Sequence, residues 1–260
     1  MNRINFLGCP MDVANMKETV NWIRQRIEAR VFTQHSVVNV AKIVNMRNDL
    51  ALDDSVRSCD LINIDGMGVV FGARLLGHDV PERVAGVDLF HELISMSAQH
   101  GIPVFLLGAK AEVVKQTYAR LKAMHPGLSV AGYHDGYFWD DEQKMVNTIR
   151  ESGARLLFVA ISSPKKENFI NRWKGQLGVD FVMGVGGTFD VVAGEAKRAP
   201  KWIQDIGFEW FFRLAQEPGR MWKRYLKTNA VFLWLVITQR IVPSRLRSKV
   251  RHIRTNTGSL

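Results

Sequence analysis

The chain has 260 residues, 47% of them hydrophobic, enough for one large α/β domain with an appendage. No segment approaches the roughly twenty apolar residues that crossing a bilayer requires, which excludes a membrane-spanning helix. The net charge of +10 excludes an evenly balanced surface: 35 basic residues stand against 25 acidic ones. From Arg213 onward eleven Lys and Arg face one acid, Glu217, so this tail carries 11 − 1 = +10 and the rest is neutral. A neutral body with a basic tail predicts an anionic partner for the tail. Inside the tail lies the apolar run Ala230–Ile237, with Trp222, Tyr225 and Trp234 around it. Basic residues beside aromatic and aliphatic ones suit a helix lying in a lipid headgroup layer. A nucleic-acid partner would not need that run, so none is expected. The chain therefore divides at Arg213: a core over 1–212 and a basic, amphipathic, membrane-associating appendage over 213–260.

In chain order, Ile4–Leu7 reads as a short strand. The N-terminus lacks an apolar core of signal-peptide length, and no export is expected. Asn15–Arg30 has apolar residues at Met16, Val20, Ile23 and Ile27, a helical spacing. Ser36–Val40 is a strand, followed by helical turns to Arg57. Asp60–Ile64 is a strand, and Asp65-Gly66-Met67-Gly68 turns into an apolar helix, Val69–Leu76. Pro103–Leu107 is a strand, Ala111–Met124 a helix, Leu128–Ala131 a strand and Asp140–Glu151 a helix. Arg155–Ile161 is a nearly continuous apolar strand, as buried parallel strands are. Glu167–Lys174 is helical and Val179–Val185 the last strong strand. This alternation predicts an α/β fold, an open and mostly parallel sheet with helices on both faces. Ligands in such sheets bind at the carboxyl ends of the strands.

The chemistry-bearing residues fall at those ends. Gly184-Val185-Gly186-Gly187-Thr188 follows a strand and opens a helix, so backbone N–H groups can approach an anion there. A tight turn of no further purpose is the equal alternative. Gly108, after Pro103–Leu107, is a weaker candidate of the same kind. Asp65 closes a strand beside two glycines and reads as a general base or as a helix N-cap. Asn39 reads as a sugar ligand or a cap. Asp190 complements the helix after the glycine turn. Cys9 and Cys59 form no CxxC pair and read as reduced, buried thiols. The seven histidines show no HxxxH spacing, and Asp140-Asp141, the pair nearest to a DxD motif, reads as a helix start, so no metal and no cofactor are expected.

The run GVGGTFDVVAGEAKRAPKWIQDIGFEWFFRLAQEPGR, together with IDGMGVV at 64–70, ERVAGVDL at 82–89, FLLGA at 105–109 and GYHDGYF at 132–138, resembles the WecG/TagA/CpsF glycosyltransferase family (glycosyltransferase family 26). The blocks follow the family's order over nearly the whole chain. The resemblance implies a Rossmann-like core. It also implies an inverting transfer of a sugar from a UDP-sugar to a polyprenyl-diphosphate-linked sugar, in cell-surface polysaccharide synthesis at the inner face of the cytoplasmic membrane. It places the base on Asp65, with Asn39 and Arg83 beside it and Arg213, Arg220 and Arg224 as the appendage arginines. Lys166 stands where the family has an active-site Gln, Val37 where it has Thr, and Ser162 where it has Gly. These departures leave the donor open among N-acetylmannosamine, its uronic acid and glucose.

The expected partners are thus a UDP-sugar, a lipid-diphosphate acceptor and an anionic membrane surface, with a homo-oligomer left open. Backbone amides and arginines would replace a metal in stabilising the departing UDP. Two other classes remain as alternatives. One is a nucleotide-binding scaffold that has lost catalysis. The other is a nicotinamide-dependent oxidoreductase, which the absence of GxGxxG after the first strand disfavours.

Overall fold

The computed structural model of the chain describes residues 1–216 and 218–241. The side chains of Asp205, Arg213, Arg220, Met221 and Arg224 lie outside that description. The chain opens with a hairpin of β1 (Asn2–Phe6) and β2 (Cys9–Val13), the second of which the sequence pattern did not announce. Leu7 and Gly8 join them with φ of 51° and 85°, the double left-handed turn that matches the twist of a two-residue hairpin. Next come α1 (Met16–Glu28), β3 (Thr33–Val38), α2 (Val40–Met46), α3 (Leu50–Arg57), β4 (Leu61–Ile64), α4 (Met67–Leu75) and α5 (Gly86–His100). They are followed by β5 (Val104–Gly108), α6 (Ala111–Met124), β6 (Val130–His134), a 3-10 turn at Trp139–Asp141 and α7 (Glu142–Glu151). The core ends with β7 (Leu156–Ala160), α8 (Lys165–Trp173), β8 (Phe181–Gly184) and α9 (Thr188–Ala193). Three helices close the described chain: α10 (Lys201–Asp205), α11 (Glu209–Gln216) and α12 (Pro218–Ile241).

Six strands form one parallel sheet in the order β4-β3-β8-β7-β5-β6. The expected Rossmann-like α/β architecture is present. Side-chain alternation along each strand feeds two faces. On one face Leu106, Phe158, Phe181 and Met183 pack with Phe90 and Phe189 beneath α5, α6 and α9. On the other, Phe105, Leu157 and Val182 meet Phe169 of α8, while Val38, Ile62 and Ile64 meet the hairpin, α2 and α12. The exposed edge of β4 is blunted by the hairpin. Asp12 accepts a hydrogen bond from the Ile62 N–H at 2.7 Å, and Arg3 donates to the Asp60 carbonyl at 2.7 Å.

Two elements differ from the sequence expectation for physical reasons. Helix α5 is preceded by Ala85, which has no capping side chain, so no capping residue in the sequence marks its start. Strand β6 lies two residues later than expected, with Gly132 over the Phe105 ring, where a Cβ would stand 2.6 Å from the ring. The apolar run of the appendage is divided between two environments. Phe232, Leu235 and Val236 are buried in the core, whereas Leu233 and Trp234 are 60% and 63% exposed. Gly72 of α4 makes this seat, because a Cβ there would lie 3.1 Å from both Phe232 and Phe6.

Candidate active site

Because all six strands are parallel, their carboxyl ends share one edge. Asn39 and Asp65 follow β3 and β4, Gly108 ends β5, and Gly184 ends β8. The chain leaves β5 toward β6 on one side and β7 toward β8 on the other. A crevice therefore opens between β5 and β7. Gly108 is required at its floor: its φ is +118°, and a Cβ would strike the Ala160 carbonyl oxygen at 2.5 Å. Asp65 and Gly184 are separated by β3, two strand spacings or about 10 Å.

Asp65 sits against the start of α5. Its Oδ2 lies 3.6 Å from where a Gly86 Cβ would be, with Val37 and Met183 each 3.7 Å from the same point. A Cβ at residue 86 would be in van der Waals contact with the carboxylate. Asn39 borders Gly66, and its side chain accepts a hydrogen bond from the Lys42 N–H at 3.0 Å. It therefore caps α2.

The other face of the same strand ends holds a buried charge cluster. Lys42 donates to Ser36 at 3.1 Å and to Glu167 at 2.8 Å, and Lys166 pairs with Glu167 at 2.9 Å. Burial alone would raise the Glu167 pKa, but the two lysines outweigh it and hold it at about 2. Gly184 accommodates the Lys166 stem, since a Cβ there would stand 2.7 Å from Lys166 Cδ. Ser36 and Val37 point to opposite faces, so Lys166 and Asp65 lie on opposite sides of β3. The glycine turn itself is open: nothing lies within 4 Å of a Cβ at Gly186, whose φ is +55°. Gly187 precedes α9, and Thr188 turns its hydroxyl inward to the Val185 carbonyl at 2.7 Å.

Arg83 donates to Glu209 at 2.9 Å, joining the loop before α5 to α11. Arg213, Arg220 and Arg224 fall on α11 and α12, with side chains outside the described part. Arg198 was not singled out by the sequence. It holds Asp88 of α5 through two hydrogen bonds, at 2.5 and 2.9 Å, and lies within the electrostatic reach of Asp65. Burial opposes the ionisation of Asp88, and the Arg198 hydrogen bonds overcome it, leaving its pKa below the ordinary value. Among the described residues, no group of three or more His, Cys, Asp or Glu is arranged to hold a metal ion.

The family model described as "Glycosyl transferase WecG/TagA/CpsF family" matches residues 4–246. The chain belongs to this family. Two relatives bear the name N-acetylglucosaminyldiphosphoundecaprenol N-acetyl-beta-D-mannosaminyltransferase. The protein from Bacillus subtilis (strain 168) is 34% identical over 206 residues, covering 79% of this chain and 78% of its own. The protein from Bacillus spizizenii (strain ATCC 23059 / NRRL B-14472 / W23) is 32% identical over 228 residues, covering 87% and 86%. As a member of the WecG/TagA/CpsF family the chain is a glycosyltransferase. Its relatives act on lipid-linked acceptors, and no helix among its own described residues is long and apolar enough to cross a membrane.

Proposed function

We propose that this glycosyltransferase moves a hexose from a UDP-sugar to a polyprenyl-diphosphate-linked sugar with inversion, and that Asp65 is the base. The observation that carries the reading is the spacing of the strand ends. Asp65 and Gly184, from which the open glycine turn leaves the sheet, lie about 10 Å apart along one edge. An in-line displacement needs about 3 Å from base to hydroxyl oxygen and about 3 Å on to the anomeric carbon. The glycosidic oxygen and the phosphorus occupy the remainder. The diphosphate then rests on the N–H groups of Gly186 and Gly187, since that of Thr188 is donated to the Val185 carbonyl. Asp65 takes the acceptor proton as the new C–O bond forms. The bond to UDP breaks on the opposite face, and its electron pair leaves on the β-phosphate. Asn39 has an amide nitrogen to offer a sugar hydroxyl, and Gly108 borders the crevice in which the nucleotide would lie. Lys166 is committed to Glu167, so its contribution would be a charge beneath the glycine turn.

Backbone N–H groups and the appendage arginines Arg213, Arg220 and Arg224 would meet the phosphates without a divalent ion. The sequence has no DxD motif to supply one. Transfer should persist in EDTA, and strict dependence on added magnesium or manganese would overturn this part. N-acetylmannosamine is the first donor to try, given the relatives' name. Its uronic acid and glucose follow, because Val37 and Lys166 alter the surroundings of the sugar.

The membrane is proposed as the platform, with the enzyme peripheral on the cytoplasmic face. Phe71 of α4, Phe211 of α11 and Leu226, Leu233 and Trp234 of α12 are all exposed apolar side chains. Basic residues of the appendage would add attraction for anionic lipid, about 1 kcal/mol each near the surface. A panel of UDP-sugars, assayed with a lipid-diphosphate acceptor, tests the proposal. Absence of transfer from every donor, with UDP still bound, would favour a binding role instead.

A further inference from the structure

Two ion pairs tie the segment from Arg198 to Glu209 to the body, and they run in opposite directions. Arg198 of the segment holds Asp88 of the body, while Arg83 of the body holds Glu209 of the segment. The pairs converge. Arg198 Nε lies 3.9 Å from Glu209 Oε1, and this nitrogen is buried without a hydrogen-bond partner. Asp65 belongs to the same cluster: its carboxylate abuts Gly86, two residues before Asp88, and its charge acts on Arg198.

We infer that Arg198 is a positioning residue for the transfer reaction: clamped by Asp88, it fixes a positive charge beside Asp65 and makes that charge depend on the seating of the 198–209 segment. The inference rests on the reading of Asp65 as the base. A guanidinium held by two parallel hydrogen bonds has little freedom to swing away. Among the described residues, the groups around the start of α5, where Asp65 and the Arg198–Asp88 pair meet, can be named by element. Strands β3 and β8 present the apolar Val37 and Met183. Helix α5 brings Asp88, with His91 one turn on, kept largely neutral because burial lowers its pKa. The loop before α5 brings Arg83, and the segment brings Arg198, Lys201 and Glu209. Among these described residues three cations stand with three carboxylates, counting Asp65. Loss of Arg198 leaves one negative charge in excess next to a group that must be ionised to act. Loss of the Glu209 charge does the reverse.

The test is the pH dependence of kcat/KM for the full chain, measured on Arg198→Gln, Arg198→Lys, Glu209→Gln and Asp65→Asn. The acid limb reports ionisation of the base. Arg198→Gln should move that limb up by about one pH unit or more, the scale set by an adjacent opposite charge. Arg198→Lys keeps the charge and should return the limb toward the wild-type position. Glu209→Gln keeps an acceptor for Arg83 and should move the limb down. Thermal melts identify any variant that fails to fold. If Arg198→Gln is one, Glu209→Gln carries the test alone. Limbs that stay in place in the folded variants, with activity lowered equally at every pH, would overturn the inference. Should Asp65→Asn transfer normally, the reading of the base falls with it, whereas an inactive Asp65→Asn with unmoved limbs sinks this inference alone.

Discussion

Glu167 shows how this fold stabilises charge away from water. With Lys42 it is nearly inaccessible, at 5% and 8% exposure, and Lys166 completes the cluster. Removing the carboxylate strands two buried ammonium groups, so Glu167→Gln should cost about 3 kcal/mol or more in urea unfolding. The sign of the pH effect follows from its pKa, lowered from 4.5 to about 2. The unfolded chain binds the proton more readily, so stability is fully present above pH 4.5 and is lost as pH falls toward 2. His35 acts in a higher window. Its ring Nε2–H donates a hydrogen bond to the Asn63 Oδ1 at 2.9 Å, and burial lowers its pKa from 6.5 to about 4. Protonation again favours the unfolded chain, so stability should begin to fall below pH 6.5. Unfolding free energies across that range should show both slopes in the wild type. In Glu167→Gln the lower slope should disappear while the His35 slope persists. At this scale Asp65 was legible as a carboxylate ending a strand. Arg198 was not, because its partners Asp88 and Glu209 lie on two other elements and only folding brings them together.

Among the elements, α12 has two roles on two faces. Phe232 meets the Phe6 ring with centroids 6.0 Å apart, above Gly72. Phe232→Ala should lower stability by about 3 kcal/mol through lost burial and the cavity left behind. Gly72→Leu should force α12 off its seat and lower the melting temperature further. An unchanged melting temperature in Gly72→Leu would mean that α12 does not dock there. The sequence announced the apolar run Ala230–Ile237 but not which face is covered, since eight consecutive apolar residues carry no periodicity. The strands of the sheet were legible for the opposite reason. Strands β4, β5, β7 and β8 are short, mainly apolar runs between turn residues, as Leu156–Ala160 is, whereas β3 and β6 mix in polar residues. Helix α5 has a clear apolar stripe of Leu89, Phe90, Leu93 and Ile94, yet it lacks a capping residue to mark its start.

For the whole molecule, the proposed arrangement puts the apolar faces of α4, α11 and α12 against lipid, with the strand-end crevice above them. Truncation of the appendage would confound attachment with folding, because α12 contributes to the core. Substitution of the exposed positions separates the two: Leu233→Ser with Trp234→Ser should keep the melting temperature and reduce co-sedimentation with anionic liposomes. Undiminished pelleting of the folded double variant would move the membrane contact elsewhere. The catalytic claim is tested most directly by radiolabelled sugar transfer to a polyprenyl-diphosphate-linked N-acetylglucosamine, comparing the wild type with Asp65→Asn. The account predicts transfer from one UDP-sugar by the wild type, a loss of about a hundredfold or more in the variant, and undiminished UDP-sugar binding. Near-normal turnover by the folded Asp65→Asn enzyme would contradict it.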